Sequence, residues 1–236
     1  MASKEQLVSR SLRIGVVVDY QNVHLAAADL FMPGRPVQES LIDPYRFACQ
    51  LALARSSTNK QDDRVAEIAR VEVFRGQPIV EDDPVTHQRN LEQAQRWIRG
   101  HATTMDVHLH PLTYDWDYRG DRRVPIRETR REKGVDVLCA LTLVDMARSG
   151  LYDVVVLASR DRDLAPALDH ADRAGRAKVE AAKWYDPAQL DSDGFLHTTR
   201  KLWTTPMTKK HFQASRDLRS INDPQPHPTA RGGMVS

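Results

Sequence analysis

Two kinds of apolar pattern alternate along this chain. Residues 13–18 (RIGVVV) and 153–158 (DVVVLA) are almost unbroken apolar runs, the pattern of strands buried on both faces of a parallel sheet. Residues 67–74 and 177–184 read as further strands, and 105–110 alternates weakly as another. Helical spacing fills the gaps. Phe47, Leu51 and Ala54 share a face over 44–55, and Leu91, Ala94 and Ile98 do so over 86–99. Residues 135–147 carry Val137, Leu138, Leu141, Val144 and Met146 and stop at Ser149-Gly150; residues 164–174 stop at Gly175. Pro33, Gly34 and Pro36 mark a loop, and 111–133 fits a loop or a hairpin excursion. The alternation predicts an α/β domain, a central parallel sheet flanked by helices on both faces, over residues 12–185. Beyond about residue 186 the period fades. Residues 186–221 read as a partly helical C-terminal extension, with Leu196, Leu202, Trp203 and Phe212 available for packing. Residues 222–236, rich in proline and glycine, read as a disordered tail, and the polar first eleven residues as frayed.

Composition narrows this picture only slightly. The chain has 236 residues, 41% hydrophobic and 28% charged, which suits one soluble domain with extensions. The net charge of +2 is nearly balanced, so a preference for nucleic acid has to come from local patches. Cys49 and Cys139 both sit in apolar helical patterns and read as reduced, buried packing residues; no zinc spacing is present. No apolar stretch is long enough to cross a bilayer and no secretory signal is visible, so the expected location is cytoplasmic, without membrane partners.

The first strand runs straight into Asp19, with Asn22 one helical turn further on. In an open parallel sheet, ligands bind beyond the carboxyl ends of the strands, where strand order reverses. Asp161 and Asp163 follow the strand at 153–158, and Asp136 opens the helix at 135. Each has a plainer reading as a turn or capping residue. Together they form a cluster that is unstable alone, because neighbouring carboxylates raise one another's pKa. A hard divalent cation, Mg²⁺ or Mn²⁺, resolves that conflict and can activate water for attack on a phosphodiester. The chain has no phosphate-binding GxxxxGK[ST] loop, no GxGxxG fingerprint and no GxSxG elbow.

The stretches VVVDYQNVH, EKGVDVLCALTLVDMA and YDVVVLASRDRDLAPALDHADRAGRAKV resemble the NYN domain of the PIN-like nuclease superfamily, in order and spacing. The resemblance spans residues 12–185 and implies a single PIN-like (Rossmannoid) domain with a metal-dependent ribonuclease site. On that resemblance Asp19, Asp136 and Asp161 are the metal-binding acids. Asp163 is a fourth catalytic acid, and Asn22 is a polar site residue. Ser159 positions the loop after the strand or contacts phosphate, and Lys133 offsets the acids or touches RNA. Arg160 stands where many relatives have glycine; beside the acids it either holds a phosphate or pairs with a carboxylate.

A basic segment leads into Asp136. Residues 119–133 hold Arg119, Arg122, Arg123, Arg127, Arg130, Arg131 and Lys133 against Asp121, Glu128 and Glu132, so Arg130, Arg131 and Lys133 are candidate RNA contacts. Tyr114, Trp116 and Tyr118 precede them and either stack on bases or pack the hairpin. The expected activity is endonucleolytic cleavage of single-stranded or loop RNA. The alternatives are an RNA-binding or protein-interaction module with little catalysis, and a DNA-handling phosphotransfer fold. The basic stretch 200–219 extends the RNA groove or binds a partner, a second copy of the chain included.

Overall fold

The structure, a computed structural model, describes residues 11–59, 64–189, 196 and 198–219. The polar N-terminal residues up to 10 and the proline-rich tail from 222 lie outside the described residues. In chain order the elements are β1 (Leu12–Asp19), α1 (Tyr20–Phe31), α2 (Pro44–Thr58), β2 (Ala66–Gln77), α3 (Pro84–Ile98), β3 (Met105–Pro111), β4 (Thr113–Arg119) and β5 (Arg122–Arg131). They continue with α4 (Val135–Ser149), β6 (Val154–Ala158), α5 (Ala165–Ala174), β7 (Lys178–Trp184), β8 (Thr204–Met207) and α6 (Lys209–Ser215). Short 3-10 turns at Val37–Ser40 and Arg162–Leu164 complete the set.

Six strands form one sheet in the order β3-β2-β1-β6-β7-β8, and all its pairings are parallel. β4 and β5 make a separate antiparallel hairpin, so the excursion at 111–133 is a hairpin. β1 sits in the middle and is buried on both faces. Leu12, Ile14, Val16 and Val18 join the core beneath α1 and α2, whereas Val17 joins the core beneath α4 and α5. This strict alternation follows from the period of two in a strand, and it carries Asp19 to the α4 side.

Three features differ from the sequence reading. α1 was not expected; it starts directly on the strand end, with Asp19 as its N-cap. In α4 the buried face is Val135, Cys139, Leu143, Met146 and Ala147. Val137 and Leu141, expected inside, are 54% and 59% exposed, because the stripe against the sheet runs through positions 135, 139 and 143 instead. Cys49 is only partly buried, whereas Cys139 is fully so; both are free thiols.

The C-terminal segment folds onto the same body. β8 adds to the β7 edge, and Met207 and Phe212 enter the core beside Trp184, Phe31 and Phe47. The Asp43 N–H donates to the Ser215 carbonyl at 2.8 Å and the Asp217 N–H to the Leu41 carbonyl at 2.9 Å. Beneath the sheet, Arg55 of α2 makes a two-pronged ion pair with Glu180 of β7, at 2.7 and 2.9 Å. Among the described residues no helix is long and apolar enough to cross a membrane.

Candidate active site

The chain leaves β1 toward β2 and β3 on one side and returns at β6 on the other, so the strand order reverses between β1 and β6. A crevice at the carboxyl ends of those two strands is the place such a sheet offers a ligand. Asp19 ends β1 there and is only 6% exposed. Its Oδ1 accepts the Asn22 N–H at 3.2 Å, closing the first turn of α1. Its Oδ2 accepts the Ser159 hydroxyl at 3.0 Å.

Ser159, the residue after β6, in turn accepts the Asp161 N–H at 3.0 Å. Asp161 Oδ1 accepts the Asp163 N–H at 3.0 Å and starts the 3-10 turn that precedes α5. Asn22 Oδ1 accepts the Arg160 N–H at 3.1 Å. One hydrogen-bonded chain therefore stitches the end of β1, the start of α1 and the loop after β6. Asn22 and Ser159 hold loop and acid together; they are oriented inward by this network.

A cavity of about 550 Å³ opens beside this seam. It is lined by Asp19, Gln21, Asn22 and Leu25 from β1 and α1, by Asp161, and by the run Glu132, Lys133, Gly134, Val135, Asp136 and Val137. Gly134 has φ 84, the left-handed region, and lets the chain turn sharply from β5 into α4. That turn presents Asp136 in the first helical turn to the cavity.

Glu132 was missed as a site residue by the sequence reading, where it counted only as one negative charge in a basic segment. The structure gives it a fixed seat: its Oε2 accepts the Gly76 N–H at 3.1 Å. Gly76 has to be glycine for this, since a Cβ there would stand 2.3 Å from that oxygen and 2.7 Å from Leu112 Cδ2. A glutamate followed by Lys-Gly was the available signal, but only the fold brings Gly76 beside it.

The electrostatics are those of partly buried, neighbouring carboxylates. The Asp19 pKa is raised to about 6, first by burial, then by the Asp161 and Asp136 carboxylates, against the opposing bonds from Asn22 and Ser159. Glu132 is raised to about 7, first by burial and then by Asp19, with the Gly76 bond and Arg75 opposing.

The remaining candidates lie elsewhere. Asp163 is exposed and does not line the cavity; it donates its N–H to Asp161. The Arg160 guanidinium pairs with Asp29 of α1 at 3.3 Å, and Arg160 is not among the residues that line the acid cavity. Arg130 and Arg131 belong to the hairpin and are paired with Asp82 at 3.8 Å and Asp115 at 2.8 Å. Tyr114 is buried, its hydroxyl donating to Asp82 at 2.9 Å, and Arg123 covers the Trp116 ring at 4.4 Å. These two rings pack the hairpin, whereas Tyr118 is 71% exposed.

The donor chemistry of the cavity fits a hard divalent cation: its acidic side chains are carboxylates, and no cysteine or histidine is among its lining residues. The Asp19 pKa is raised mainly by burial and further by the neighbouring carboxylates, and a bound cation would offset both. Among the described residues, no three histidine, cysteine, aspartate or glutamate side chains are gathered closely enough to hold one ion. The acids share a cavity and a field, with their side chains still apart.

The family model of the NYN domain matches residues 13–185. No curated protein matches the chain. A solved structure, that of a protein of unknown function, VPA0982, from Vibrio parahaemolyticus, is 18% identical, with a TM-score of 0.41; the match covers 84% of this chain and 100% of that one.

Proposed function

The chain belongs to the NYN domain family, typically nucleases of the PIN-like superfamily, and from that premise we propose that it is a Mg²⁺- or Mn²⁺-dependent endoribonuclease. Its substrate is single-stranded or loop RNA, and its place of action is the cytoplasm. The reading rests on one observation. Asp19, Asp136 and Asp161, from three distant segments, line a single cavity at the point where strand order reverses. The metal would be held by those three acids, and when bound it lowers the pKa of a water and offsets charge on the phosphodiester.

The chain's own residues supply the rest. Ser159 and the Asn22 N–H fix both oxygens of Asp19, so it meets its ligand without reorganising. The Asn22–Arg160 bond keeps the Asp161 loop in register with α1. Lys133, on the cavity rim, brings a positive charge to a backbone phosphate. Glu132 stands next to the acids on a fixed hydrogen bond and is available to accept a proton near neutral pH.

The test is cleavage of several RNAs with Mg²⁺ and with Mn²⁺, in preparations checked for contaminating nuclease. EDTA and Asp19→Asn should each abolish cleavage. Intact RNA under all those conditions would overturn the assignment. A second reading, an RNA-binding module with little catalysis, is favoured by the separation of the carboxylates. It requires salt-sensitive RNA binding that Asp161→Asn leaves unchanged in a protein that does not cleave.

A further inference from the structure

α1 turns two neighbouring stripes of side chains toward two cavities. Gln21, Asn22 and Leu25 line the acid cavity. Val23, Ala26 and Leu30, with Asn22 again, line a second cavity of about 230 Å³ between α1, α2 and the carboxyl ends of β6 and β7. The two meet at the carboxyl edge of the sheet, with Asn22 as a wall of both. Ser159 ties them further. It lines the second cavity, and its hydroxyl donates to Asp19 at 3.0 Å.

The interior of the second cavity is apolar and aromatic. Phe47 of α2 and Trp184 of β7 are among its walls, and the two rings meet edge-on at 5.4 Å. Trp184 Nε1 donates to the Val23 carbonyl at 2.9 Å, which uses the indole's one polar atom inside the protein. The charged groups stand at the rim. Arg160 pairs with Asp29 at 3.3 Å, each more than half exposed, and Lys183 lies over the Tyr185 ring at 5.8 Å. Two amides add direction. Asn22 Oδ1 accepts the Arg160 N–H at 3.1 Å, so its NH₂ group is the end that can donate. Gln189 Nε2 donates to the Leu30 carbonyl at 3.5 Å, so its oxygen is the end that can accept.

These features select an occupant. Pockets for whole drug-sized ligands measure roughly 300–1,000 Å³, so this smaller one suits a single ring system. A ring-walled, apolar interior rejects a phosphate, which would lose its water without gaining a buried cation. A neutral planar heterocycle with donors and acceptors on its edge matches both the walls and the amides. An unpaired nucleobase is such a group, and single-stranded RNA is read by splaying bases out against rings and amides. Its sugar and phosphate would stay at the mouth, where Asn22 leads into the acid cavity.

We propose that the cavity between α1 and β7 seats one unpaired nucleobase of the RNA strand, beside the phosphodiester that enters the acid cavity. The identity of the strand rests on the ribonuclease reading. A base held there sets where along the strand the cut falls.

The experiment measures binding of oligoribonucleotides to Asp19→Asn protein, using a set of strands of one sequence in which a single base at a time is replaced by an abasic site. Loss of the base at one position should weaken binding by about tenfold, and loss at the others by clearly less. Ala26→Leu puts a larger side chain at the cavity wall. It should weaken the intact strand by about the same factor and erase the difference between positions. Should that variant fail to fold, Gln189→Ala on the exposed rim takes its place; it should weaken the intact strand and leave unchanged the strand that lacks the seated base. Equal loss at every position, or variants that weaken all strands alike, overturns the proposal. Failure of the nuclease reading looks different: the position dependence persists while the natural protein cuts no RNA. A chain that binds no RNA overturns both.

Discussion

At the scale of single residues, Asp19 concentrates the conflict in this site. Its carboxyl is raised from the ordinary 3.8 to about 6. Between those two values the native chain holds a proton that the unfolded chain has released. Stability therefore falls as pH rises from about 4 to about 6, and the penalty is complete above that. Asp19→Asn removes the charge and keeps a side chain that can still cap α1. The variant should be more stable than the natural protein at pH 7.5, by at most about 3 kcal/mol for a shift of this size, and the advantage should vanish by pH 4. Adding Mn²⁺ should narrow the gap, by raising the melting temperature of the natural protein alone. A gap independent of both pH and metal would show that the acid is not under this strain. Gly76 makes a second prediction. Gly76→Ala drives a methyl group into the Glu132 carboxylate and Leu112. Both are side-chain ends that can swing away, so the stability loss should be small, about 1–2 kcal/mol. RNA cleavage should fall more than stability does, because Glu132 loses its seat. Equal retention of cleavage would remove Glu132 from the active site.

At the scale of elements, the buried ion pair between α2 and β7 tests what holds the helix layer to the sheet. Arg55 and Glu180 are almost fully enclosed, and Lys178 adds a third charge at 2.9 Å. Arg55→Met leaves Glu180 enclosed with Lys178 as its remaining cation, and the expected loss is about 3–5 kcal/mol in chemical denaturation. Replacing Arg55 and Glu180 together with apolar residues should restore much of that. Such a pair is invisible in the sequence, since 125 residues separate its members. What was legible is what depends on local period: the runs at β1, β2, β6 and β7, and helices α2 to α5. Asp19, Asp136 and Asp161 were legible as well, because each stands at an element boundary, where a parallel sheet puts its ligands. Their shared cavity was only an inference until the strand order was known. α1 escaped because its opening residues, Asp19 to Asn22, carried the chemical signal and its alanine-rich body carried no strong stripe. β8 escaped because it is short and contains Pro206, which only an edge strand accepts. The face of α4 was misjudged because apolar residues occupy nearly every side of it, leaving no single stripe to read. Lacking that, Val137 and Leu141 were assigned to the core when one of them, Val137, lines the acid cavity.

At the scale of the whole molecule, the family match ends at residue 185 but the hydrophobic core does not. Met207 and Phe212 are at most 2% exposed, and Phe212 stacks on Phe31 at 5.5 Å and meets Trp184 edge-on at 5.9 Å. Asp217 receives hydrogen bonds from Trp97 and Gln93, the same two α3 side chains that contact Arg75. Cutting the chain after Tyr185 would strip β8 from the β7 edge and leave an unpaired strand next to exposed aromatic rings. Such an edge invites association with other chains. It would also remove the Asp217 carboxylate that holds Trp97 and Gln93 of α3. Burying two large side chains of this kind contributes about 3–6 kcal/mol, a large share of the stability of an ordinary domain. The shortened protein should therefore melt well below the full chain or accumulate as aggregates. A truncated protein with an unchanged melting temperature would mean that the segment after residue 185 is an accessory to the domain rather than part of its core.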